Sequence, residues 1–150
     1  MFNTTIATQI YAKICFEATN SQKKIIENLS EYLSDDDFSR IFVLNGFAGT
    51  GKTTLIAALV AALKELRIKP VLLAPTGRAA KVLARYCGEQ ALTIHKRIYR
   101  QRTNADYESK FSLDFNREQG AVFIVDEASM LSDSTGDGAL FGSGSLLELS

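Results

Sequence analysis

The 150-residue sequence has no tryptophan, one histidine, two prolines, two cysteines and no net charge. A lone histidine, His95, leaves no partner imidazole for a metal cluster and no triad chemistry, and on its own reads as a packing or hydrogen-bonding residue. Cys15 and Cys87 lie far apart with no C-x-x-C spacing. That excludes a disulfide scaffold and fits thiols kept reduced in the cytoplasm. Basic and acidic residues balance at 17 each, so no global field draws the chain to polyanions. The opening Met1-Phe2-Asn3-Thr4-Thr5 lacks the basic start of a secretory signal. No apolar run reaches membrane-spanning length, although Leu55 to Leu63 is uninterrupted. No internal repeat is present. These absences point to a soluble cytoplasmic protein without a membrane partner.

What the chain does have is a glycine-rich loop between an apolar run and a helix-forming run. Ile41-Phe42-Val43-Leu44 reads as a strand, and Gly46-Phe47-Ala48-Gly49-Thr50-Gly51-Lys52-Thr53 follows it. The run from Thr54 to Leu63 reads as a helix apolar nearly all round. Strand, G-x-x-x-x-G-K-T and helix together form a P-loop. The glycines let successive N–H groups converge on a phosphate chain at the positive end of the helix dipole. Lys52 would meet the β- and γ-phosphates, and the Thr53 hydroxyl would join the shell of Mg²⁺.

In chain order, Phe2, Ile6, Ile10 and Ile14 repeat every four residues and predict an N-terminal helix. Thr19-Asn20-Ser21 offers caps for a second, bearing Ile25, Ile26, Leu29, Tyr32 and Leu33 on one face. Residues 1–40 thus form a helical region, and 41–150 a P-loop domain. The P-loop helix is expected from Lys52 to about Arg67. Pro70 opens and Pro75 closes a strand over Val71–Ala74, and Thr76 caps a helix reaching Cys87, with Gly88 as its C′ residue. Leu92-Thr93-Ile94-His95 starts a short helix. Residues 101–119 form a loop or hairpin arm, and Ala121–Val125 a buried parallel strand. A Gly/Ser-rich stretch from Ser132 to Ser145 precedes a helix beginning at Leu146. Strands alternating with helices predict an α/β fold with a parallel sheet and flanking helices.

Asp126-Glu127 closes the 121–125 run in the Walker B arrangement. Asp126 would hold Mg²⁺ and Glu127 would activate the water that attacks the γ-phosphate. Charge is local: Arg78, Lys81, Arg85, Lys96, Arg97, Arg100 and Arg102 stand against the single acid Glu89.

Gly46–Thr53, Ala74-Pro75-Thr76-Gly77-Arg78-Ala79-Ala80, Thr93-Ile94-His95 and Asp126-Glu127-Ala128-Ser129-Met130 occur in that order. This series resembles motifs I, Ia, the T-I-H element and motif II of superfamily 1 helicases, across roughly residues 16 to 149. The A-P-T-G-R-A-A and D-E-A-S-M spellings resemble the RecD/Dda/Pif-like branch, which moves 5′→3′ on single-stranded DNA. The resemblance implies an incomplete RecA-like P-loop domain that binds ATP with Mg²⁺. It implies nucleotide contacts from Gly46 through Thr54 and an adenine contact from Gln22. It also implies DNA contacts from Thr76, Gly77, Arg78, Thr93 and His95. Motif III would begin after residue 150, and the transition-state arginine would lie in a second motor domain acting in cis. Two other classes remain open on the residues alone: a stand-alone P-loop ATPase or kinase, and a non-catalytic nucleotide- or DNA-binding module.

Overall fold

The structure is a computed structural model that describes residues 2–35, 40–47, 49–103, 109–113 and 120–131. The described elements are α1 (Phe2–Lys13), α2 (Asn20–Ser34), α3 (Lys52–Glu65), β1 (Pro70–Ala74), α4 (Gly77–Cys87) and β2 (Ala91–Thr93). They continue with α5 (Ile94–Ile98), β3 (Tyr99–Thr103), β4 (Ser109–Leu113), β5 (Val122–Val125) and a 3₁₀ turn at Ala128–Met130. They form two compact units. One runs to Pro70 and takes in Tyr86–Gly88; the other holds Val71–Arg85 and the chain from Glu89 onward.

In the first unit α1 packs against both α2 and α3. The four-residue repeat explains the α1 face, since Ile6 and Ile10 are fully buried. From α2, Ile26, Leu29 and Ser30 are buried, and Ser30 satisfies its hydroxyl on the Ile26 carbonyl at 2.7 Å. Helix α3 buries Leu55, Ala58, Leu59, Val60, Ala62 and Leu63, more than one stripe, as its continuous apolar run requires. The far ends of α1 and α3 are joined by a Lys13–Glu65 ion pair at 2.8 Å.

Helix α3 stops at Glu65, two residues before the expected Arg67. Arg67 takes a left-handed φ of 59°, its N–H bonding the Lys64 carbonyl and the Ile68 N–H the Leu63 carbonyl. This bond pair is a Schellman stop, which ends a helix by satisfying its last carbonyls.

The predicted strand 41–44 is not a strand. Its two-residue alternation is present: Phe42 and Leu44 are half-buried, while Ile41 and Val43 are 79% and 70% exposed. A strand also needs a ladder partner, and none of the described residues pairs with this segment. Tyr32 holds it instead. The Tyr32 hydroxyl donates to the Arg40 carbonyl at 2.8 Å, and its ring lies 5.5 Å from that of Phe42. Arg40 also pairs with Asp35 at the end of α2.

The second unit holds a three-stranded parallel sheet in the order β2-β1-β5. Leu72, Leu73 and Ala74 face Ala91, Leu92 and Thr93 across the ladder. The central strand β1 is buried from Val71 to Ala74, as its unbroken apolar run and the bracketing prolines foretell. Val71, Leu73 and Ile94 form one buried cluster of this unit, with Leu92, Ile98, Ala121 and Leu131 packed against it. The sequence reading placed Leu92 and Thr93 in a helix; they end β2 instead, and α5 starts at Ile94. Of the two forms open to the polar stretch, the hairpin is the one present. It begins earlier, at Tyr99, with β3 and β4 antiparallel and Tyr99 opposite Leu113. Strand β5 departs from the buried strand expected: Phe123 and Val125 are 41% and 39% exposed. Phe123 and Val125, two residues apart, share one face of the strand, and that face is the open one; among the described residues β5 pairs with β1 alone. The expectations for Phe115, for Ser132–Ser145 and for a helix at Leu146 lie outside the described residues.

Candidate nucleotide-binding site

The glycine-rich loop is a tight turn that feeds directly into α3. Gly49 and Gly51 take φ values of 81° and 83°, in the left-handed region open to glycine. Thr50 draws the turn closed, its hydroxyl donating to the Phe47 carbonyl at 2.8 Å. A Cβ on Gly46 would come to 3.0 Å from that hydroxyl oxygen, so a side chain here would have to displace Thr50 by a few tenths of an ångström. Ala48 lies outside the described residues. Phe47 is exposed.

Three of the helices begin with a threonine cap. The Thr19, Thr76 and Thr93 hydroxyls accept N–H bonds from Gln22 at 3.3 Å, Ala79 at 3.2 Å and Lys96 at 3.2 Å. Helix α3 begins instead on Gly51, which has no side chain to cap with. The first-turn N–H groups of a helix have no intrahelical partner. Those of Lys52, Thr53 and Thr54 therefore remain as donors at the positive end of a 14-residue helix. That donor set suits an anion, and a phosphate chain in particular.

Lys52 is the first residue of α3, and its ammonium folds back over the loop. It donates to the Gly46 and Phe47 carbonyls, the latter at 2.7 Å. The cation is thus held at the loop itself, where phosphate oxygens would be stronger acceptors than neutral carbonyls. Thr53 is half-buried and Thr54 exposed.

Gln22 is built into this loop from the side. Its Oε1 accepts the Thr19 N–H at 3.0 Å while its own N–H bonds the Thr19 hydroxyl, a complete capping box for α2. Its Nε2 donates to the Thr50 carbonyl at 3.4 Å, across 28 residues of sequence. The Thr19-x-x-Gln22 spacing signals the box; no sequence signal marks the bond to Thr50.

In the second unit, Asp126 follows β5 at the carboxyl end of the sheet. Its N–H donates to the Leu73 carbonyl at 3.0 Å, fixing it beside β1, and its Oδ1 accepts the Glu127 N–H at 3.0 Å. Glu127 is exposed and left-handed at φ 54°, a conformation that is sparsely populated for a side-chain-bearing residue. No group of three acidic, histidine or cysteine side chains that could cage a metal occurs among the described residues. Asp126 and Glu127 are the carboxylates at this strand end, and Mg²⁺, which keeps water and phosphate oxygens, needs only one or two such ligands.

Of the residues that the resemblance assigns to DNA, Thr76, Gly77 and Arg78 are exposed at the start of α4. Thr93 and His95 are half-buried around the start of α5. Both threonines act as caps, which accounts for them locally; the start of α4 lies at the surface, while α5 begins on the buried Ile94. Among the described residues no helix is long and apolar enough to cross a membrane.

The profile of the AAA domain family matches residues 17–140. The chain is 29% identical over 114 residues to the ATP-dependent RecD2 DNA helicase of Deinococcus radiodurans, 76% of this chain and 15% of that protein. It is 37% identical over 92 residues to the ATP-dependent DNA helicase dda of Enterobacteria phage T4, 58% of this chain and 20% of that protein. The chain therefore spans a small part of the length of these relatives. It belongs to the AAA domain family, among the RecD- and Dda-like helicase domains of superfamily 1.

Proposed function

We propose that this chain binds Mg·ATP on the loop from Gly46 to Thr54. As part of a longer protein it would couple hydrolysis to movement along single-stranded DNA and to duplex unwinding. The observation that carries the reading is the start of α3: a left-handed glycine in the cap position, uncapped donors behind it, and Lys52 leaning over them. The RecD2 and dda matches support the DNA partner and the larger architecture. Because they cover 15% and 20% of those proteins, a second motor domain in cis is part of the proposal.

In this reading the α3 amides and Lys52 hold the phosphate chain, and the Gln22 amide lies beside the loop where the adenine would be read. Thr53 and Asp126 hold Mg²⁺, which on binding neutralises charge developing on the phosphate oxygens. Glu127 orients and deprotonates the attacking water. Thr76, Gly77, Arg78, Thr93 and His95 face the DNA strand. Neither Cys15 nor Cys87 is in a disulfide, which suits the cytoplasm.

Titration of a fluorescent ATP analogue tests the site. Lys52→Ala should weaken binding by about 1.5–3 kcal/mol, the range for a hydrogen bond to a charged group. Glu127→Gln should keep the affinity and abolish hydrolysis. Equal affinity for Lys52→Ala and the parent would refute the assignment.

A further inference from the structure

Gln22 has both ends of its side-chain amide engaged. Oε1 accepts the Thr19 N–H at 3.0 Å, and Nε2 donates to the Thr50 carbonyl at 3.4 Å. A glutamine that only closes a capping box uses Oε1 alone, and one that only reads a base uses neither bond. The Thr50 contact is therefore left over from both roles. It is also close-fitting, since a Cβ on Gly51 would come within 2.9 Å of Nε2.

The Thr50 carbonyl shares its peptide plane with the Gly51 N–H. In a trans peptide these two groups point in opposite directions. A donor fixed on the carbonyl therefore fixes the direction of the N–H as well. Gly51, at φ 83°, is the residue through which the loop turns into α3. With a positive φ and no side chain, this plane has few restraints of its own.

We propose that Gln22 is a positioning residue for phosphate binding. By holding the Thr50–Gly51 peptide it presets the loop, and it raises affinity for a phosphate chain whatever base that chain carries. This rests on the nucleotide-site reading above and adds to any contact Gln22 makes with adenine. It also couples the N-terminal cap of α2 to the loop through one side chain.

The test is calorimetric titration of the 150-residue chain with Mg²⁺-tripolyphosphate, which has no base, and with Mg·ATP. Gln22→Met removes both amide bonds. Thr19→Val removes the hydroxyl cap on α2 yet keeps the backbone N–H that Gln22 accepts, so it lowers helix stability without freeing Thr50. Gln22→Met should weaken tripolyphosphate and ATP by the same factor, about three- to tenfold for one hydrogen bond. Thr19→Val should change neither by more than about twofold, the scatter expected for a contact outside the site. Gln22→Asn, one methylene short of Thr50, serves as a second variant and should behave as Gln22→Met does. Loss confined to ATP would overturn the proposal and leave Gln22 as a base reader only. Equal losses in Thr19→Val would overturn it in favour of a simple helix cap. If tripolyphosphate fails to bind, or binds equally to Lys52→Ala, the nucleotide-site reading itself fails and the proposal with it.

Discussion

Arg67 occupies a position where glycine is the usual residue. At φ 59° it closes the Schellman stop of α3, and a side chain in that region is strained against its own carbonyl. Arg67→Gly should therefore stabilise the fold by about 0.5–1 kcal/mol, once the greater freedom of glycine in the unfolded chain is deducted, read as a higher urea midpoint at constant m. An unchanged or lower midpoint would show that the arginine side chain contributes more than its backbone costs. Glu65, two residues earlier, has its carboxyl held below the ordinary value by the hydrogen bond and charge of Lys13. A lowered folded-state pKa adds stability above the unfolded-state pKa and loses it as pH falls through the folded one. Carbon-detected titration of Glu65 in Lys13→Ala should move its midpoint up toward that of a free glutamate. A midpoint that does not move would contradict the pairing. At this scale the sequence was informative about chemistry. Gly51, Lys52 and Thr53 lie at the start of α3 and Asp126 directly after β5, as their spacing predicts, whereas Gly46 follows a segment that is not a strand. The bond between Gln22 and Thr50 was invisible, because it depends on how two segments 28 residues apart come together.

Among the elements, the contrast that matters is between threonine caps and a glycine cap. Thr19, Thr76 and Thr93 each satisfy a first-turn donor, while Gly51 leaves such donors open. The segment entering the loop is steadied by Tyr32, whose hydroxyl and ring fasten Arg40 and Phe42 to α2. Tyr32→Phe should keep the ring contact and lose one exposed hydrogen bond. We expect a destabilisation of about 0.5–1 kcal/mol and faster hydrogen exchange at residues 40–44, with no change in the exchange of α1. Unchanged exchange there would show that the segment is held by other means. Periodicity made α1 and α2 legible, the long apolar run behind the glycine-rich loop did so for α3, and the unbroken apolar run between two prolines for β1. Such patterns report what an element needs, not whether a partner supplies it. Ile41–Leu44 has the alternation of a strand and no ladder, and β5 has the composition of a central strand at an edge. Ala91–Thr93 is too short to carry any pattern, so β2 emerges only from its pairing with β1.

At the scale of the molecule, β5 has β1 as its one strand neighbour among the described residues, where Ile41 and Val43 pair with no strand, and both are surfaces that invite strand addition. Light scattering should show concentration-dependent self-association of the 150-residue chain, relieved by Val43→Lys. A monodisperse monomer at every concentration would mean that these edges are protected. Single-stranded DNA should bind weakly with a steep salt dependence, because phosphate contacts dominate sequence-independent affinity. Charge reversal at Arg78 and Lys81 should flatten that dependence; a slope unchanged by both would leave the basic stretch as a solvated face. The central claim is that the uncapped start of α3 receives a phosphate chain, and backbone amide NMR during Mg·ATP titration tests it most directly. The account predicts saturable shifts at the Gly51, Lys52 and Thr53 amides, together with Gln22 and Thr50, all weakened in Lys52→Ala. Saturable binding that leaves those amides unmoved would contradict it.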